Sequence, residues 1–189
     1  MSDRPDDLPL RASDDRFRRG RVELSEALVA LLGPRGAPLP LADADRAAAL
    51  AAEARGAYRD AEAYAWAVVR AELRADDRRA IADLLQAVGA TVGGRPVWLV
   101  VPGREPQVVP LAADLVLDNP LGFAALGDHE FTLLDQAVPG GLTVTRHAHV
   151  LGAAHAYAWE VEAWGAEPWL SAATRALRER RQRETEEES

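Results

Sequence analysis

The sequence predicts an α+β fold, on three observations. Apolar residues recur at helical spacing through an alanine-rich stretch from Asp43 to Leu73. Short apolar runs bounded by proline and glycine follow residue 90. Pro168 then introduces a last amphipathic stretch. The expected order is an N-terminal helical region with one long Ala-rich helix, a mostly antiparallel sheet of about five strands, and a C-terminal helix. The expected boundaries are a disordered arm over 1–13, a helical region over 14–89, a sheet domain with its closing helix over 90–183, and a disordered acidic tail over 184–189.

Residues 1–13 are polar and carry two prolines, which suits a disordered arm. A helix is expected from about Asp14 to Leu32, with Leu24, Leu28, Leu31 and Leu32 on one face. Gly33, Pro34, Pro38 and Pro40 end it. From Asp43 to Leu73, Ala47, Leu50, Ala54, Ala57, Ala61, Tyr64, Val68 and Ala71 alternate spacings of three and four. That is the seam of a packed helix pair. Its expected partner is the next helix of the same chain; a homodimer seam over 47–71 is the alternative, and a monomer is favoured. Ile81, Leu84, Leu85 and Val88 mark that next helix, which Gly89 can end.

PVWLVVPG at 96–103 reads as a central strand, and QVVPL at 107–111 as a returning one placed by Pro110 at an edge or bulge. FTLLDQA at 131–137 is the third strand. Thr143 to Gly165 forms a hairpin that can be read by parity, since successive strand side chains face opposite ways. His155, Tyr157, Trp159, Val161 and Ala163 share the buried face of its second strand; Leu142, Val144, Arg146, Ala148 and Val150 share that of the first. With a loop at Leu151–Ala154, Val144 falls opposite Val161 and Arg146 opposite Trp159. Trp169, Ala173 and Leu177 of the closing helix should face the sheet.

Composition removes several chemistries. No cysteine is present, so there is no thiol nucleophile and no disulfide framework, and the composition fits the cytoplasm. The basic residues are all arginine, which excludes a Schiff-base or Walker-A lysine. None of Ser2, Ser13, Ser25, Ser171 and Ser189 lies in a nucleophile elbow. A net charge of −8 opposes nonspecific binding to nucleic acid or anionic membrane. No apolar run reaches the roughly 20 residues that span a bilayer, and the acidic N-terminus lacks a signal core.

What remains is a protein-binding role, as adaptor, inhibitor or antitoxin-like partner, with no cofactor. Trp164 beside Glu160 and Glu162 is the candidate anchor for a partner, because aromatic side chains carry much interface energy. The alternative is a metal-dependent or acid–base enzyme using His147, His149 and His155. Parity puts His155 on the face opposite the other two, which weakens that reading. His129 between Asp128 and Glu130 reads as a surface loop, and Asp114 and Asp118 as a strand-end pair.

Overall fold

The computed structural model describes residues 26–33, 44–59, 68–74, 78–102, 106–127, 129–151, 154–165 and 167–187. In chain order they form α1 (Glu26–Leu32), α2 (Ala44–Arg59), β1 (Val68–Arg74), α3 (Arg78–Val92), β2 (Pro96–Val101), β3 (Gln107–Ala112), α4 (Ala113–Leu117), α5 (Pro120–Leu126), β4 (Glu130–Asp135), β5 (Gly140–Leu151), β6 (Ala154–Gly165) and α6 (Trp169–Glu187). The strands make one six-stranded antiparallel sheet in the order β1-β6-β5-β4-β2-β3.

The class is the expected α+β, with six strands rather than five. The additional strand is β1. It lies inside the stretch read as one helix to Leu73, so the seam does not run as one helix from Ala47 to Ala71: α2 is described over Ala44–Arg59, and Val68–Arg74 is a strand. The physical reason is that Val-Val-Arg-Ala-Glu-Leu-Arg also alternates. Ala71 and Leu73 enter the core while Arg70 and Glu72 face out. The homodimer helix over 47–71 therefore has no continuous helix to use. Side chains of Ala54, Ala57 and Arg59, and the whole of Ala61, lie outside the described residues, as do the arm at 1–13 and the expected helix start at 14–25. At the other end α6 continues to Glu187, so residues 184–187 of the expected tail are helical.

Two clusters cover the two faces of the sheet. On the inner face Val97, Leu99, Val109, Phe131, Leu133, Leu142, Val144, Trp159 and Val161 pack under α1, α3, α4, α5 and α6. Trp169 and Phe123 are fully buried there. Burial of a large apolar side chain contributes about 1.5–3 kcal/mol, so this face carries most of the stability. On the outer face, Leu50 and Ala51 of α2 pack on Val100, Val108 and Leu134, with Trp98 and Trp164 at their sides. Close approach explains one glycine: a Cβ on Gly141 would collide with the Leu133 carbonyl oxygen.

Parity placed the hairpin register correctly. Val144 pairs with Val161 and Arg146 with Trp159. The strands run further than expected, to Leu151 and from Ala154. They also outrun their neighbours. β4 pairs with β5 only as far as Thr145, and β1 pairs with β6 only from Ala158. Beyond those points, apart from one backbone hydrogen bond from Arg146 to His129, β5 and β6 pair with each other alone among the described residues, as a two-stranded ribbon.

Candidate functional site

Outward-facing residues of β1, β6 and β5 bring charge together. Arg70 pairs opposite Glu162, and Glu72 opposite Glu160. Arg70 Nε donates to Glu162 Oε1 at 2.6 Å and lies 2.6 Å from Glu160 Oε1; its Nη2 also contacts Glu162 Oε1. His147, one strand further in, has Nδ1 3.6 Å from Glu160 Oε2. The Glu162 side chain is 3% exposed, against 53% for Arg70. Burial pushes the Glu162 carboxyl above its ordinary value of 4.5, assisted by the nearby Glu160 charge; Arg70 opposes this without cancelling it.

Behind this group runs a short polar ladder. Trp164 Nε1 donates to Thr143 Oγ1 at 3.4 Å, and Thr143 Oγ1 meets Thr132 Oγ1 at 3.2 Å. Both threonines are buried. Of the residues expected to anchor a partner, Trp164 thus packs half-buried beside α2, Glu162 is buried in the ion pair, and Glu160 shares its arginine. The histidines divide. His147 lies in this cluster, opposite Ala158, while the register sets His149 opposite Ala156 and His155 opposite Val150. The side chains of His149 and His155 lie outside the described residues. Among those described, no three histidine, cysteine or carboxylate side chains gather to hold a metal ion.

The base of the ribbon forms a second constellation that the sequence reading missed. Tyr157 was expected on the buried face of β6. It shares that face with Trp159, but the core ends at Trp159, which is 5% exposed, and Tyr157 is 49% exposed. The reason is the overhang: among the described residues, the core cluster under the helices has no member on β5 beyond Val144 and none on β6 before Trp159. The guanidinium of Arg146 lies 4.4 Å from the Tyr157 ring centroid. It also approaches His129 Nε2 at 3.4 Å, and the His129 ring meets Trp159 edge-on at 6.1 Å. His129 is held there in a left-handed backbone conformation, φ 71°, with its carbonyl accepting from the Arg146 amide at 2.9 Å. The detectable sequence signal was the unequal length of the strands: Gly140 to Leu151 has more alternating positions than FTLLDQA can pair.

Other polar groups are committed to structure. Asp135 accepts from Arg95, Trp169, Ala137 and Val138. Asp114 accepts from the Leu115 amide in α4, and Asp118 follows that helix as its C-cap. A groove of about 440 Å³ between α3 and α6 is lined by Arg79, Asp83, Arg180, Arg183 and Glu184, with ion pairs Arg79–Asp83 and Arg180–Glu184 within it. No helix among the described residues is long and apolar enough to cross a membrane. No family model, curated protein or solved structure matches the chain.

Proposed function

We propose that this chain is a cytoplasmic protein-binding protein without catalytic activity, of the adaptor, inhibitor or antitoxin-like kind, and that it engages another protein at the base of the β5–β6 ribbon. The observation that carries this reading is Tyr157, 49% exposed on a projecting ribbon with Arg146 stacked 4.4 Å from its ring. Tyrosine and arginine dominate the energetics of protein interfaces, and a stacked pair loses little side-chain freedom on binding. A two-stranded ribbon alone is marginally stable in water, so contact with a partner would stabilise it. Support rests on Tyr157 rather than Trp164, which packs beside α2. The net charge of −8 favours a protein partner over nucleic acid or anionic lipid, and the cysteine-free composition suits a reducing compartment.

The test is affinity purification from the native host with wild type, Tyr157→Ala and Arg146→Ala. A protein recovered in stoichiometric amount with wild type should fall at least about tenfold with either variant, since truncating an interface hot spot costs about 2 kcal/mol or more. Equal recovery by folded variants would remove the ribbon from the interface. A second reading, acid–base or metal-dependent catalysis, draws on the buried Glu162 beside Glu160 and His147. Stoichiometric metal in the purified protein would favour it.

A further inference from the structure

The groove between α3 and α6 holds charges that do not cancel. Arg79 and Asp83 line it from α3, and Arg180, Arg183 and Glu184 from α6. Three guanidinium groups thus share it with two carboxylates, in a chain whose net charge is −8. Only one of its two ion pairs is close. Arg180 Nε donates to Glu184 Oε1 at 2.7 Å. Arg79 Nε stands 3.7 Å from Asp83 Oδ2, beyond hydrogen-bonding distance, on a side chain 92% exposed. Arg183 is exposed and meets no carboxylate among the described residues. The Nη1 of Arg180 is buried without an acceptor. A buried donor left without an acceptor is costly, and more so on a charged group. The groove is therefore short of acceptor oxygens and of negative charge.

We propose that this groove binds phosphate, either free or as the monoester of a small molecule. Arg180 and Arg183, three residues apart, lie on one side of α6, and Arg79 comes from the facing α3. Guanidinium forks match phosphate oxygens in paired, charge-assisted hydrogen bonds. A carboxylate would bring one charge and two oxygens to three arginines, one of which Glu184 already holds. A phosphate monoester brings close to two charges and three strong acceptor oxygens. The volume of about 440 Å³ far exceeds the share of one water, about 30 Å³, so a carrier fits beside the phosphate. Leu84, which is buried, gives the groove an apolar part against which a carrier can lie. The net charge of −8 opposes the approach of a polyanion such as nucleic acid or an anionic membrane, which leaves a small ligand.

This inference does not rest on the β5–β6 ribbon. The test is nuclear magnetic resonance of the full chain, read at arginine Nε–H groups and backbone amides. Glycerol 3-phosphate and inorganic phosphate are titrated separately, with ionic strength held constant by sodium chloride. The shifts should saturate and should centre on residues 79–84 and 180–184. Arg183→Gln should weaken binding about tenfold, the worth of one hydrogen bond to a charged group. Arg178→Gln, exposed on α6 but outside the groove lining, should bind as wild type, and so should Tyr157→Ala. Both arginine substitutions fall on exposed side chains, so folding should be retained. Tighter binding of glycerol 3-phosphate would support a phosphorylated small molecule as the ligand. Equal or tighter binding of inorganic phosphate would support free phosphate at the same arginines. Shifts that never saturate, shifts spread equally over all arginines, or unchanged affinity in Arg183→Gln would each overturn the proposal.

Discussion

The indole N–H of Trp169 donates to Asp135 Oδ2 at 2.8 Å, joining the first residue of α6 to the last residue of β4. Arg95 Nε donates to the same oxygen at 2.7 Å, and the amides of Ala137 and Val138 donate to Oδ1 at 2.8 and 3.2 Å. The Asp135 side chain is 0% exposed. Removing it leaves an arginine and an indole without their acceptor in a buried place. Asp135→Ala is expected to cost about 3–5 kcal/mol, the range for breaking a buried charge pair, as read from urea unfolding. A loss below about 1 kcal/mol would mean that water replaces the carboxylate.

The same site sets an acid limit. Burial alone would raise the Asp135 carboxyl, but the hydrogen bonds from Arg95, Ala137, Trp169 and Val138 outweigh it and hold the group below its ordinary value of 3.8. A lowered carboxylate contributes stability above its unfolded value and loses it as pH falls through the folded one. Wild type should therefore lose this contribution below about pH 3.8, and Asp135→Ala should show a shallower loss there. Parallel acid limbs for the two proteins would remove Asp135 from the account.

The parts of this fold that were legible in sequence are those where one periodicity stands alone. Val144, Arg146, Trp159 and Val161 alternate cleanly, so their pairing followed from parity. β1 was not legible because two periods overlap in it. Val68 and Ala71 continue the three-four spacing of α2, and Ala, Glu, Leu and Arg are good helix formers. Only pairing with β6, some ninety residues later (Arg70 with Glu162), decides for the strand. Helices α4 and α5, of five and seven residues, are too short to show a helical period. The charged cluster was half legible: Glu160 and Glu162 were read, with Trp164, as a candidate partner anchor, but Arg70, read as part of a helix, was not expected to meet them.

Helix α2 offers a test of the outer-face cluster. Leu50 is 1% exposed and packs on Val100, Val108 and Leu134, whereas Glu53, one turn on, is exposed. Leu50→Ala is expected to cost about 2–3 kcal/mol, the lower part of the range for buried leucine, because this cluster is small. Glu53→Ala should change stability by less than about 0.5 kcal/mol. Equal effects of the two substitutions in urea unfolding would mean that α2 does not hold its place on the sheet.

Glu162 carries a prediction of opposite sign to that of Asp135. Burial, with the nearby Glu160 charge, raises its carboxyl above the ordinary value of 4.5 despite Arg70. A raised folded value means that the native state takes up the proton more readily than the unfolded chain. Stability from this group is then fully present below pH 4.5 and is lost as pH rises through the raised value. Glu162→Gln removes the charge and keeps an oxygen that can accept from Arg70. At pH 8 the variant should be at least as stable as wild type, and wild type should regain ground as pH falls toward 4.5. Arg70→Ala gives the converse. It strands the ionised Glu162 in a buried place, so it should cost about 3 kcal/mol or more at neutral pH, and the cost should shrink in acid as Glu162 takes a proton. Calorimetric melting of the three proteins from pH 4 to pH 8 separates these outcomes. If Glu162→Gln melts well below wild type at pH 8, the ionised carboxylate is a net stabiliser and the Arg70 contact outweighs its burial.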